Sequence, residues 1–164
     1  MKDAIIDAVT TLPPELAVVV LAALPIIEVR GSIPVAITVY DLSPVAAIAW
    51  SLFGNIAAGA ITLIISLPII RAMIAHSDRI RQMWERYIHS LQTRNEQRFA
   101  RYGALALVLF VAIPLPMTGI FTGAVAASVF GISPRRALPL LLLGSVIASV
   151  IVTVITLGAA AVLS

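Results

Sequence analysis

The stretch Glu28-Val-Arg-Gly-Ser-Ile-Pro34 decides the fold, because it places two charges inside sequence that otherwise suits hydrocarbon. Apolar residues fill most of 16–27 before it and 35–40 after it. A charge at bilayer depth costs roughly 3 kcal/mol on insertion scales, so it persists where it pairs, lines a wet cavity or has a function. Pro25, Gly31 and Pro34 predict a helix break over 25–34, which must be enclosed by protein or face water. We expect the functional centre here.

The composition indicates an all-α integral membrane protein. Of 164 residues, 60% are hydrophobic and 12% are charged. Soluble domains average about 45–50% apolar and about 25% charged residues. The length suits a single domain, so we expect one membrane domain over residues 1–164.

Several classes of chemistry are excluded by what the chain contains. It has no cysteine, which excludes disulfides, thiolate metal sites and thiol redox chemistry. His76 and His89 follow no metal-ligand spacing and no catalytic motif can be assembled, so we expect no enzyme, metal or cofactor. Nine of the eleven basic residues lie in 71–101 and at 135–136, a distribution that orients membrane proteins and gives no soluble face for nucleic acid.

Four apolar stretches are long enough to span a bilayer: 16–40, 45–70, 102–130 and 137–163. The first and third differ from the others because each contains a predicted helix break. In the third stretch the break is Ile113-Pro-Leu-Pro-Met-Thr-Gly119.

An internal repeat relates the two halves. Residues 35–44 match residues 125–134 at an offset of 90, and Gly54 and Gly144 keep that offset. Each match ends in a Ser-Pro turn that suits a helix start, with serine as the N-cap and proline at N1. Leu24-Pro25 aligns with Leu115-Pro116 after a slip of one residue. We therefore predict a duplication, with repeat one at 12–70 and repeat two at 102–164.

Two topologies are compatible with this repeat. If the broken segments span, the chain is a four-helix bundle of parallel repeats; if they are re-entrant hairpins, the repeats are inverted about the membrane plane. Only the hairpins place all nine linker and loop arginines on one face, as the positive-inside rule prefers. We predict inverted repeats, each a re-entrant helical hairpin plus a transmembrane helix. Residues 71–101, apolar at helical spacing and rich in arginine, are predicted to form an amphipathic cytoplasmic helix between them.

Glu28 and Arg30 allow two interpretations. They form a buried ion pair that fixes the hairpin tip, or a proton-titratable carboxylate beside a cation that receives an anion. Burial and a neighbouring guanidinium shift the pKa of a carboxylate in opposite directions. Helix N-termini predicted after Gly31 and after Thr118 would point positive dipole ends at the same place, which suits phosphate.

Other polar and small residues complete the candidate site. The second hairpin contributes Pro114, Pro116, Thr118, Gly119, Thr122 and Gly123, for ligand contact or for tight packing. Asn55 is expected to form an interhelical hydrogen bond or to line the path. Arg135 and Arg136 are expected to fix topology, or to attract lipid headgroups.

Two groups of residues resemble a known family. They are Glu28 with Pro34, and Arg101-Tyr-Gly103 leading to Phe110-x-x-x-Pro114-x-Pro116-x-Thr-Gly119. The resemblance is to the "putative small multi-drug export protein" family, which is similar to the DedA/VTT superfamily of paired re-entrant hairpins in inverted repeats. DedA proteins usually carry arginines around the proline of the second hairpin. This chain has none there, so either Arg30 replaces that charge or the substrate differs.

The resemblance implies transport in a bacterial or archaeal plasma membrane. We expect a proton-influenced transporter or flippase of a phosphate-bearing lipid, either polyprenyl phosphate or phospholipid, with Glu28 as the proton site and Arg30 as the phosphate site. Export of small amphipathic cations through Glu28 is the alternative, and a non-transporting membrane scaffold is the third. Because one chain encloses little volume, we expect a homodimer.

Overall fold

The computed structural model describes residues 12–76, 82, 86, 96–115 and 118–163. Its long helical elements are α1 (Pro14–Ala22), α2 (Glu28–Thr38), α3 (Pro44–His76), α4 (Glu96–Ala112), α5 (Ile120–Val129) and α6 (Pro134–Leu163). Every regular element in these residues is helical, which confirms the all-α class. Two segments are long and apolar enough to cross a membrane, Pro44–Ile70 and Pro134–Val162, and the shorter apolar helices are Gly103–Ala112 and Ile120–Val129.

The two long helices begin at the Ser-Pro turns that the repeat predicted. Pro44 and Pro134 are the first helical residues of α3 and α6. The Ser43 hydroxyl accepts a hydrogen bond from the Ala46 amide at 3.3 Å, as an N-cap does. The Ser133 carbonyl accepts the Ala137 amide at 2.9 Å.

The first broken segment is a helical hairpin, and its break is shorter than predicted. α1 ends at Ala22 and α2 already begins at Glu28, with the Glu28 amide donating to the Leu24 carbonyl at 3.0 Å. The predicted break over 25–34 is therefore wrong at its far end, because Pro34 lies inside α2. A proline there removes one backbone hydrogen bond, from its own missing N–H to the Arg30 carbonyl. Apolar helices tolerate such a loss where neighbouring protein encloses the backbone.

The second hairpin consists of α4 and α5, joined by residues 113–119. α3 and α5 run in the same direction. Gly59 of α3 packs against Ile120, and further along both helices the hydroxyls of Ser66 and Ser128 are hydrogen bonded at 2.8 Å.

α5 and α6 run in opposite directions across the turn that joins them. Ala127 near the end of α5 shares a buried cluster with Ala137 near the start of α6. Gly123, one turn earlier in α5, packs against Leu141, one turn later in α6. Since α5 is parallel to α3, the two long helices α3 and α6 are antiparallel.

Each hairpin packs against the long helix of its own half through an equivalent glycine. A Cβ atom on Gly54 would lie 2.9 Å from the carbonyl carbon of Val19 in α1. One on Gly144 would lie 2.9 Å from the carbonyl oxygen of Val108 in α4. Gly54 and Gly144, which share the repeat offset, therefore have the same role. Because they have no side chain, the first helix of each hairpin packs closely against the backbone of the long helix.

Within the predicted linker 71–101, residues 71–76 belong to α3 and residues 96–101 belong to α4. Gln82 and Arg86 are helical and exposed. The rest of the predicted amphipathic face, at 77–81, 83–85 and 87–95, lies outside the described residues.

Candidate functional site

The tips of the two hairpins meet at the guanidinium of Arg30. Its Nη2 donates to Oε2 of Glu28 at 3.1 Å, which forms an ion pair within the first hairpin. Its Nη1 donates to the backbone carbonyl of Leu115 in the tip of the second hairpin. One side chain thus connects both tips, and the planar guanidinium suits this because its nitrogens donate in different directions.

The Glu28 carboxylate caps α5, a helix of the other hairpin. The backbone amide of Phe121, in the first turn of α5, donates to Oε1 of Glu28 at 3.5 Å, the long end of the hydrogen-bond range. α5 has no side-chain cap from its own N-cap residue, Gly119. A helix N-terminus presents unpaired N–H groups and a positive dipole end, so a carboxylate is stabilised there.

The backbone at this contact has an unusual conformation on both sides. Glu28 has a φ of 49° and Gly119 has a φ of 150°, and residues with a side chain rarely adopt either value. A Cβ atom on Gly119 would overlap the Glu28 carboxylate and the Arg30 guanidinium. At Glu28 strain of this kind costs about 1–3 kcal/mol and persists where surrounding contacts determine the conformation, whereas glycine adopts a positive φ without it. Only glycine at position 119 lets the two charges reach the start of α5.

The two charges differ in their access to solvent. The Glu28 side chain is 6% exposed, and that of Arg30 is 21% exposed. A buried carboxylate is tolerated when it is paired and hydrogen bonded, and here it has both a guanidinium and a helix N-terminus. The Arg30 guanidinium and the N-terminus of α5 thus form an anion-binding site, and the Glu28 carboxylate is the anion that occupies it.

The family comparison covers this whole arrangement. The family model described as "putative small multi-drug export protein" matches residues 28–151, from Glu28 itself through most of α6. The chain belongs to this family. The predicted family is therefore confirmed, and membership together with the apolar helices indicates an integral membrane protein and a transporter rather than an enzyme. A search of the curated proteins and a search of the solved structures found no match.

In this small multi-drug export family member, the two predicted helix N-termini have different outcomes. The one after Thr118 is present, since α5 begins at Ile120. The one after Gly31 is wrong: α2 begins at Glu28, and the Gly31 amide is bonded to the Ile27 carbonyl at 3.0 Å. Gly31 thus lies in the first turn of α2, with its amide already used by the helix.

The threonines of the second hairpin have different surroundings. The Thr118 hydroxyl lies 2.8 Å from the carbonyls of Ile113 and Leu115, to one of which it donates, and it accepts the Leu115 amide at 3.2 Å. It therefore holds the tip in shape. Thr122 is exposed, with its hydroxyl 3.5 Å from the Gly119 carbonyl. Pro114 lies in the same tip, and Pro116 is outside the described residues.

Gly123 and Asn55 make their contacts with residues other than Glu28 and Arg30. Gly123 is buried against Val111 and Leu141, so it packs rather than lining an open path. Asn55 is 1% exposed, and its amide donates to the Ser145 hydroxyl at 3.3 Å, the expected interhelical bond. Its Oδ1 has no hydrogen-bond partner in the described part of the chain.

Arg135 and Arg136 are exposed at the start of α6. The ten residues of α5 separate them from the hairpin tips, about 15 Å at the helical rise. They therefore form a second location and not part of the ion-pair site.

Two partners of the charges, the Leu115 carbonyl and the Phe121 amide, were not predicted from the sequence. Both are backbone groups, which carry no residue-specific signal. Among the described residues no histidine, cysteine, aspartate or glutamate side chains form a group that could hold a metal ion.

Proposed function

We propose that this chain moves a phosphate-bearing lipid across the membrane through the interface between its hairpin tips, and that protonation of Glu28 controls the interface. The observation that carries the proposal is the Glu28 carboxylate at the N-terminus of α5, paired with Arg30. A guanidinium and a helix N-terminus are the groups that proteins use to bind phosphate. Here the protein's own carboxylate occupies the place that such a ligand would take.

The helix directions support re-entrant hairpins in inverted repeats. In a four-span bundle the second and fourth spans would be parallel, whereas α3 and α6 are antiparallel. Inverted repeats favour a substrate site near the membrane midplane, where the repeats meet. The contact between Arg30 and Leu115 is such a meeting point. The arginine-rich connector then lies on the cytoplasmic face.

The proposed mechanism is an exchange of anions. Protonation of Glu28 removes its charge, which breaks the ion pair and frees Arg30 and the Phe121 amide. A lipid phosphate then binds the guanidinium and the α5 N-terminus in place of the carboxylate. When Glu28 loses its proton, the carboxylate competes with the phosphate and favours its release. This exchange needs two components: an arginine that stays charged throughout and a carboxylate that does not.

Export of small amphipathic cations is the second candidate, and the family description favours it. A cation would bind the Glu28 carboxylate. Arg30 lies 3.1 Å from that carboxylate and would repel the cargo, so this function requires Arg30 to move away. Removal of Arg30 should then preserve or increase the efflux of cations, which is the opposite of its effect on lipid phosphate.

Reconstitution into liposomes tests these functions. We expect the protein to flip a fluorescent polyprenyl phosphate and Arg30→Ala to reduce the rate by about tenfold or more, because the phosphate loses its guanidinium donor. Glu28→Gln, which is neutral like protonated Glu28, should still bind the phosphate but should also flip slowly, because no carboxylate competes for its release. Arg30→Lys, which keeps the charge but cannot bridge both tips, should also be slow. Glu15→Gln, in the first turn of α1, is the matched control and should behave as wild type.

Other results would contradict the proposal. Ethidium efflux driven by a proton gradient that survives Arg30→Ala, without flipping of lipid phosphate, establishes the cation exporter. A folded protein that moves neither substrate establishes the scaffold. Circular dichroism and gel filtration of each variant separate a loss of function from a loss of fold.

Assembly as a homodimer is part of the proposal, because two long helices and two hairpins enclose little volume. Light scattering of the protein in detergent should give the mass of two chains after subtraction of the micelle. The mass of one chain would refute this part alone.

A further inference from the structure

Two adjoining cavities lie on the flank formed by α4, α5 and the start of α6. The first has a volume of about 540 Å³, and its lining is apolar, from Gly103, Ala106, Leu107, Phe110, Ala126, Phe130 and Ile132. The second has a volume of about 800 Å³ and includes Ser133, Arg135 and Arg136 in its lining. Gly103, Phe130 and Ile132 line both, so the cavities form one continuous groove with a polar end and an apolar end.

The polar end is electropositive. Arg135 and Arg136 are exposed, and neither forms an ion pair with any acidic residue that the structure describes. They lie in the first turn of α6, where the helix dipole adds positive potential. Two guanidinium groups in a cavity at a helix N-terminus complement a phosphate group.

The apolar end continues directly from these arginines. Its α4 side runs from Gly103 to Phe110, about 10 Å at the helical rise, and the hairpin tip begins three residues later at Ile113. A hydrocarbon chain lying in the groove would therefore point from the arginines towards the tip that Arg30 contacts. Inorganic phosphate has no part that would fill this apolar space, whereas a lipid does.

We infer that the groove between α4 and α5 binds the hydrocarbon chain of a membrane lipid whose phosphate headgroup rests on Arg135 and Arg136. The purpose of this binding, delivery of lipid phosphate to the hairpin tips, rests on the proposed function. The binding itself does not depend on transport.

The test is photolabelling of the full-length protein in nanodiscs with a polyprenyl monophosphate that carries a diazirine on its chain. We expect the label on peptides within 103–132. We expect the unlabelled phosphate to compete at least tenfold better than the corresponding alcohol, and inorganic phosphate not to compete. Label spread over all apolar helices, or equal competition by the alcohol, overturns the inference. Competition by inorganic phosphate identifies a free-anion site and also overturns it.

Variants at both ends of the groove have matched controls. Ala106→Trp fills the apolar end, and Leu105→Trp, on an exposed side chain of α4 that does not line the groove, is its control. Arg135→Glu with Arg136→Glu reverses the polar end on exposed residues without disturbing the core. Arg86→Glu, on another exposed arginine, controls for the reversal of a positive charge outside the residues that line the groove. We expect a loss of labelling of at least tenfold for both groove variants and none for the controls; unchanged labelling in the groove variants overturns the inference.

The outcomes for groove and function are separable. If the wild-type protein flips no lipid and groove labelling survives in Glu28→Gln, this inference stands and the proposed function is refuted. Flipping that persists while wild-type labelling avoids the groove refutes the inference alone.

Discussion

The side-chain amide of Asn55 donates to the hydroxyl of Ser145 at 3.3 Å, and the two residues are 90 positions apart, which is the offset of the repeat. Equivalent residues of two halves can meet only close to the axis that relates them. The crossing of the antiparallel helices α3 and α6 therefore lies close to that axis. Both side chains are 1% exposed or less, so this polar contact lies within the core.

Loss of this contact should have a modest cost. Hydrogen bonds between membrane helices average about 0.6 kcal/mol in double-mutant cycles. We expect Asn55→Ala and Ser145→Ala each to lower the free energy of unfolding by about 1 kcal/mol, with a coupling energy near 0.6 kcal/mol. Unfolding by SDS in mixed micelles measures this. Additive effects of the two substitutions would contradict the bond.

The paired glycines should be equally intolerant of a side chain. A Cβ atom on Gly54 meets the backbone of Val19, and one on Gly144 meets Val108 and Val111. Neither backbone can yield without moving a hairpin arm, so Gly54→Ala and Gly144→Ala should each destabilise the protein by about 1–3 kcal/mol.

Gly158→Ala is the control for these substitutions, because nothing lies within 4 Å of its Cβ position. It should be neutral or stabilise α6 by about 0.5–1 kcal/mol, as alanine replaces glycine in a helix. Thermal unfolding monitored by circular dichroism compares all three variants. A loss at Gly158 as large as at Gly54 would contradict the packing argument.

Gly119→Ala should disrupt the contact between the hairpin tips. The substitution strains the backbone at a φ of 150° and displaces the Glu28 carboxylate, for a combined cost of roughly 2–4 kcal/mol. The steric part of this cost depends on Glu28. Gly119→Ala should therefore cost less in a Glu28→Ala background, since the overlapping carboxylate is gone. An equal cost in both backgrounds, measured by the same unfolding assay, would refute the contact.

Single cysteines report on the topology, and the chain contains no other cysteine. Asp41 and Arg135 are exposed and lie at the starts of the antiparallel helices α3 and α6. Asp41→Cys and Arg135→Cys should therefore react with an impermeant maleimide from opposite faces of the membrane. Reaction of both from one face is the result that four spans predict.

Much of this fold could be predicted from particular residues. The Ser-Pro pairs at 43–44 and 133–134 predicted the starts of the long helices, because serine caps and proline starts a helix through local chemistry. The prediction of a broken backbone in the first hairpin was right near Pro25. It was wrong at Pro34, because a proline is tolerated inside a helix when packing compensates for a single lost bond.

The site was only partly predictable. Glu28 and Arg30 are conspicuous in apolar sequence, and their ion pair follows from their spacing and burial. That Glu28 caps α5 depends on the distance between two hairpins, which no local pattern encodes. The Leu115 carbonyl and the Phe121 amide are backbone groups, and only the assembled tertiary structure brings them to these charges.

The Glu28 carboxylate packs against Gly119. The alignment of Leu24-Pro25 with Leu115-Pro116 makes these two residues counterparts, 91 positions apart. A chain with glutamate in both places would press two negative groups into a space that holds one. The two halves thus contribute differently: the first supplies the charged side chains, and the second has a glycine where those side chains need space. The contact between the hairpin tips therefore needs one copy of each half. Either half alone, or two copies of the same half, would lack the charges or the glycine that accommodates them.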